Sequence, residues 1–212
     1  MAQRPIDCAV MFVDMRGFTR ASEHFGPDGV VALLEGYFEL LVGVVGQHSG
    51  RACNMAGDGV VVAFGAGPSA SETGVQAARG SVRAARALLD AWKIFAADWQ
   101  ARQGVVTGLG IGIHYGPVIA GPIGPPSFRH DTVVGDTVNV AARLCQRARA
   151  GEVLFSGTVR AALGPDGLGL EILELPALQI RSRAAADALP AGDAASRSGC
   201  GLTAVAAAPV HR

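Results

Sequence analysis

Apolar residues run almost without interruption from Ile6 to Asp14 (IDCAVMFVD), and the run ends on an acid. That pattern predicts a buried strand delivering a carboxylate at its C-terminal end. Gly17 breaks the run, and a short helix is expected over 19–25. From Pro27 the period changes. Val30, Leu33, Leu34, Tyr37, Leu41, Val44 and Val45 recur at helical spacing, and the helix ends near Gly46. Two short strands follow, over 51–56 and 60–64, joined by the tight hairpin turn Gly57-Asp58-Gly59. A loop around Gly67-Pro68-Ser69 leads into a long alanine-rich helix over 71–103, with Val82, Leu89, Trp92 and Phe95 toward the core.

In the second half, Val105 to Tyr115 alternates with glycine and predicts a strand, which Gly116-Pro117 turns into a short strand over 118–120. Residues 121–128, rich in Gly and Pro, read as a loop or arm. A strand is expected over 129–134, and then a helix over 136–148 with Asp136 suited to its N-terminal end. A strand over 153–156, a short helix over 158–163 and a strand pair within 168–183 complete one domain, residues 1–183. From Ala184 to Arg212 the composition turns to Ala, Ser, Gly, Asp and Pro, and a flexible tail is expected. Strands alternate with helices, yet two hairpins interrupt the order. That excludes a simple doubly wound parallel sheet. It predicts an α/β (α+β) fold, a ferredoxin-like mixed sheet with helices packed on one face.

Composition narrows the function. A chain of 212 residues that is 50% hydrophobic can build a real core and is not disordered. The formal net charge is zero, so no basic excess points to nucleic acid or an anionic membrane. Among the 18 basic residues only Lys93 is a lysine, so work that usually needs lysine must fall to other residues. Cys8, Cys53, Cys145 and Cys200 show no zinc-ligand spacing and read as reduced thiols. The N-terminus lacks the apolar run of a signal peptide, and no stretch of about 18 apolar residues is seen, so a cytoplasmic protein without a membrane span is expected.

Three groups of residues could carry chemistry. Asp14 ends a buried strand and Asp58 sits at a hairpin tip. If those strands are neighbours, the carboxylates converge and invite Mg²⁺ or Mn²⁺, which prefer oxygen ligands. Arg16-Gly17-Phe18-Thr19 opens a helix through a glycine, where free backbone N–H groups can hold phosphate oxygens. Asn139 and Arg143 lie four apart on one helix face, with Val138, Ala142 and Cys145 expected on the opposite, core-facing side. An Asn and an Arg side by side can bind a ribose and a phosphoryl group in transfer. Taken singly, each has an ordinary reading: a turn, a strand-to-helix corner, a solvated helix face.

The series FVDMRGFT (12–19), AGDGVVVAF (56–64), GIHYGPVIAGPIG (112–124) and VVGDTVNVAARL (133–144), in this order, closely resembles the class III adenylyl/guanylyl cyclase catalytic domain. The resemblance spans about residues 6 to 160. It implies a ferredoxin-like domain acting as a homodimer, with active sites formed between subunits and a nucleoside triphosphate as substrate. By position, Asp14 and Asp58 resemble the two metal-binding aspartates, with two Mg²⁺ or Mn²⁺ ions per site, and the Met15 backbone resembles a further ligand. Gly17, Phe18 and Thr19 resemble the phosphate-binding turn. Asn139 and Arg143 resemble the ribose-orienting and transition-state residues that the other subunit supplies. The implied reaction is cyclisation of ATP to 3′,5′-cyclic AMP with loss of pyrophosphate, a signal-transduction activity.

Two positions resemble the base-reading residues. The first, usually Lys in adenylyl and Glu in guanylyl cyclases, is Asn54. The second is Thr132, familiar in bacterial relatives that use ATP. An amide both donates and accepts, so a guanylate cyclase using GTP stays open, as does a degenerate domain that only binds nucleotide and dimerises. Many relatives carry a triphosphate-binding Lys near the final strands, where this chain has only Arg181 and Arg183. A diguanylate cyclase would need a GGD/EEF turn, and this chain has Ala56-Gly57-Asp58-Gly59 instead.

Overall fold

The computed structural model describes residues 3–66, 73–127, 129–165, 167–170, 172–174 and 205–207. The elements are β1 (Arg4–Arg16), α1 (Phe18–His24), α2 (Pro27–Gln47), β2 (Gly50–Ala56), β3 (Gly59–Phe64), α3 (Gly74–Gln103), β4 (Gly108–Ile123), β5 (His130–Val134), α4 (Asp136–Arg147), β6 (Glu152–Phe155), α5 (Gly157–Leu163), a 3-10 turn (Gly167–Gly169), β7 (Ile172–Glu174) and β8 (Val205–Ala207). They form an eight-stranded sheet in the order β2-β3-β1-β4-β6-β8-β7, with β5 paired to β4. The first four strands are all antiparallel to their neighbours, and their order, 2-3-1-4 with helical crossovers, is the expected ferredoxin-like arrangement. β6 then adds parallel to β4.

Period-two alternation divides the central strands between two cores. Met11, Val13 and Met15 of β1, Val60, Val62 and Phe64 of β3, and Leu109, Ile111 and Ile113 of β4 face one side. There they meet the buried stripe Leu33, Tyr37, Leu41 and Val45 of α2 and Val82, Leu88 and Trp92 of α3. α3 begins in a full capping box between Thr73 and Gln76 and ends on Gly104 in the left-handed region. Cys8, Val10, Val61, Ala63, Val118 and Ala120 face the other side with Ala141 of α4. Helices therefore sit on both faces of the sheet, not on one as the element order suggested. The reason lies in β4, where Gly108, Gly110 and Gly112 alternate with the buried Leu109, Ile111 and Ile113 and leave a bare strip for α4 and the chain after it.

Three other expectations are corrected. Gly116-Pro117 is not a turn, since β4 runs unbroken through it with Asp7 opposite Pro117 and Cys8 opposite Gly116. β6 reaches only to Ile113 and β5 begins pairing at Ile119, so one edge of β4 is open at the proline, where a missing N–H is tolerated. The buried stripe of α4 is Thr137, Val140, Ala141, Leu144 and Cys145, while Val138 and Ala142 are only half-buried. The Thr137 hydroxyl donates to the Pro117 carbonyl at 2.6 Å, so a polar residue joins the stripe and rotates it. The segment read as a tail contains β8, which pairs antiparallel with both β6 and β7. Val205-Ala206-Ala207 carries no charge or turn residue, which suits an interior strand better than the surrounding composition suggested. The expected Gly67-Pro68-Ser69 loop, the end of the last strand pair with Arg181 and Arg183, and Cys200 lie outside the described residues.

Among the described residues α2 is the one helix long and apolar enough to cross a membrane by length and composition, with a mean hydropathy of 1.7. That qualifies the expectation drawn from the sequence. In the fold its stripe packs on the sheet, and Glu35 and Glu39 lie on its exposed surface.

Candidate active site

β1 carries Asp14 out on the face that α4 covers, and Gly17 then turns the chain into α1. Gly17 has φ +87°, and a Cβ there would lie 3.0 Å from the Val106 carbonyl, so the corner requires glycine. α1 has no side-chain N-cap, and Phe18 and Thr19 form its first turn. The hairpin between β2 and β3, with Gly57 at φ +62°, presents Asp58 beside β1. The Met15 N–H donates to Asp58 Oδ2 at 2.9 Å. Asp14, Met15 and Asp58 thus come together as the strand order demands, with β3 directly beside β1.

Burial raises the Asp58 carboxyl above its ordinary value of 3.8, and the neighbouring Asp14 charge raises it further, against the lowering effect of the Met15 N–H. Two carboxylates lie in hydrogen-bonding reach, with the Arg16 guanidinium paired to Asp14 and the Asp58 carboxyl disfavoured as an anion. Their oxygens, with the main-chain carbonyl of Met15 adjacent, suit a hard divalent cation. Among the described residues no cluster of three or more His, Cys, Asp or Glu that could hold a metal ion exists.

Asn139 is exposed and Arg143 half-buried on the outward face of α4. Within one chain neither is hydrogen-bonded or ion-paired to Asp14 or Asp58. Asn54 is exposed at an irregularity of β2, and its Oδ1 accepts from the Met55 N–H at 2.9 Å. Thr132 is buried in β5 opposite Gly121 of β4. β2 and β5, which carry these two positions, come into contact.

Sequence reasoning named Arg16 only as part of the glycine turn and gave it no role of its own. Its guanidinium donates to Asp14, to the Cys145 carbonyl and, at 2.9 Å, to the Ala148 carbonyl. Gly110 makes room, since a Cβ there would lie 2.5 Å from the guanidinium. The signal was present: Asp14 and Arg16 are two apart on a strand and therefore share a face.

The sequence profile described as "Adenylate and Guanylate cyclase catalytic domain" matches residues 1–184. The chain belongs to this family. An uncharacterized protein of Mycobacterium tuberculosis (strain ATCC 25618 / H37Rv) is 36% identical over 142 residues, 67% of this chain and 24% of that protein. Adenylate cyclase 1 of Rhizobium meliloti (strain 1021) is 34% identical over 157 residues, 73% of this chain and 23% of that protein. The chain spans about a quarter of the length of the curated relatives it matches. Among solved structures, the adenylyl cyclase CyaB from P. aeruginosa superposes with a TM-score of 0.82 at 21% identity, covering 100% of this chain and 98% of that one. The guanylyl cyclase Cya2 gives 0.74 at 26% identity, covering 86% and 90%. The cyclase domain therefore has relatives named for each of the two purine nucleotides.

Proposed function

We propose that this cyclase domain converts ATP to 3′,5′-cyclic AMP and pyrophosphate in a homodimer whose active sites are shared between subunits. The carrying observation is the convergence of Asp14 and Asp58 beside the glycine turn, in a chain of this family. Asp14, Asp58 and the Met15 carbonyl would hold two Mg²⁺ or Mn²⁺ ions, which supply acidification of the ribose 3′-hydroxyl and neutralisation of the phosphates. The backbone N–H groups of Gly17, Phe18 and Thr19 hold phosphate oxygens at the opening of α1. The 3′-oxygen attacks the α-phosphorus and pyrophosphate departs. Both reacting groups belong to one substrate, so positioning carries much of the acceleration. From the partner subunit, Asn139 orients the ribose and Arg143 donates to the α-phosphoryl oxygens as charge builds there. The outward placement of both side chains on α4, away from their own chain's aspartates, supports sharing between subunits.

Base choice falls to Asn54 and Thr132. With Asn54 Oδ1 engaged by Met55, the amide N–H₂ is left to donate. A donor matches adenine N1, an acceptor, rather than guanine N1–H. The second reading, a domain that binds nucleotide and dimerises without turnover, draws on the absence of lysine from every position but 93. Purified protein incubated with ATP or with GTP and Mn²⁺ or Mg²⁺, beside Asp58→Ala, separates the readings. Cyclic AMP absent from the control supports the proposal. Cyclic GMP alone reassigns the base, and binding without any product establishes the binding module.

A further inference from the structure

Arg16 occupies a position that the reaction as described does not use. Its guanidinium has three acceptors: Asp14 through one terminal nitrogen, the Cys145 carbonyl through the other, and the Ala148 carbonyl through Nε. Cys145 lies in the last turn of α4 and Ala148 is its C-cap, so the group meets the negative end of the helix dipole, where the Cys145 carbonyl already accepts from the Ala148 N–H at 3.0 Å and takes the guanidinium as a second donor. A rigid fork of donors suits this task and an ammonium would not, since one nitrogen cannot reach three separated acceptors in fixed directions. The Arg16 side chain is about three-quarters buried, and β4 keeps glycine at 110 beneath it. The same helix carries Asn139 and Arg143 on its outward face. One side chain therefore ties an aspartate of this chain's own site to the helix that serves the other.

We propose that Arg16 is a positioning residue that holds α4 in place through Asp14 and competes with divalent cations for that carboxylate. The inference rests on the reading of Asp14 and Asp58 as the metal pair. Without metal, Arg16 supplies the positive charge beside Asp14, while among the described residues no ion pair is made by Asp58, which accepts from the Met15 N–H. A cation that takes Asp14 Oδ2 displaces one guanidinium donor, while the two carbonyl contacts remain to keep the helix seated. Occupancy of one site thereby frees the guanidinium from its carboxylate anchor and loosens, without unseating, the helix that reaches into the other.

The test is Mn²⁺ binding, followed by calorimetry on the full chain without nucleotide, together with hydrogen exchange at the amides of 143–148. Arg16→Met should bind Mn²⁺ more tightly by on the order of tenfold, the effect of removing one opposite charge adjacent to a carboxylate. Its last α4 turn should exchange faster than in the parent. Arg16→Lys retains the charge and loses the fork, so it should restore the weaker Mn²⁺ affinity while leaving the fast exchange. A merely structural arginine would alter exchange alone. Arg16→Met binding no more tightly than the parent, or Arg16→Lys binding as tightly as Arg16→Met, overturns the proposal. Asp14→Asn and Asp58→Asn separate the two levels. If both bind Mn²⁺ like the parent, the metal-pair reading fails and takes this inference with it. If both lose binding while the Arg16 variants behave alike, only the inference fails.

Discussion

Replacing Gly112 by alanine asks whether the bare strip on β4 is what seats α4. A Cβ at that position would lie 2.2 Å from the Cys145 amide nitrogen, 2.3 Å from the Ala141 carbonyl and 2.8 Å from the Cys145 Cα, against 3.4–4 Å for ordinary contact. All three obstructing atoms are main chain, so no side chain can swing aside and the helix itself must retreat by roughly 1 Å. Overpacking of this kind costs about 1–3 kcal/mol, and the rigid obstruction puts Gly112→Ala at the upper end. For a domain of this size each kcal/mol lowers Tm by about 2–4 °C, so a fall of about 6–12 °C is expected in thermal unfolding. Cyclase turnover, measured where the variant is still folded, should drop by on the order of 10²-fold, because a 1 Å displacement would carry Asn139 and Arg143 off the substrate groups proposed for them. Gly43→Ala is the control. Nothing lies within 4 Å of its Cβ position, and an exposed helical Gly→Ala change gains roughly 0.5–1 kcal/mol. An unchanged Tm and full turnover in Gly112→Ala would refute the close approach of α4 to β4.

Asp58 binds its proton more tightly folded than unfolded, so its contribution to stability is fully present below 3.8 and is lost as pH rises through the raised folded value. In EDTA, Asp58→Asn should therefore flatten the decline of stability toward neutral pH in urea titrations, and identical pH slopes for variant and parent would count against the repulsion. Arg143→Ala should lose on the order of 10²–10³ in rate, the cost of one preorganised donor. Mixed with Asp14→Ala it should recover partial activity, and confirmed heterodimers without recovery argue against shared sites. The Cys8 and Cys145 thiols are both pushed up to about 12, chiefly by burial, so neither should react with a thiol reagent until the protein unfolds. Rapid labelling of either in native protein contradicts the packing of the α4 face.

The placement of the proposed site residues was legible because they sit where local rules put them. Asp14 ends an apolar run, Asp58 occupies a hairpin turn, and Asn139 and Arg143 are one helical turn apart. The convergence of Asp14 and Asp58 needed only the neighbouring of β1 and β3, which the sequence leaves as a condition and the strand order supplies. The misread features depend on partners distant in sequence. Pro117 resembled a turn because a missing N–H usually ends a strand, and only the gap between β5 and β6 makes it harmless. The α4 stripe was rotated by Thr137, whose burial depends on a carbonyl twenty positions upstream. Glycines 108, 110 and 112 read only as part of a strand, whereas their meaning lies in what approaches them. β8 could not be anticipated from a segment whose overall composition is that of a linker, since its two partners, β6 and β7, supply the reason for it to be a strand.

The hydropathy of α2 has a consequence for biosynthesis. An unfolded chain emerging from a ribosome exposes a segment that, judged alone, could partition into a bilayer. The surfaces that cover it are close in sequence: β1 has already been made, and β3 is complete by residue 64, well before α3 adds Trp92 against Tyr37. Early closure of that half-domain shields the helix while little loop entropy has yet been lost. Changes that delay the β1–β3 pairing would then leave α2 exposed for longer. Their first symptom would be association with membranes or chaperones during synthesis, before any loss of stability in the finished fold.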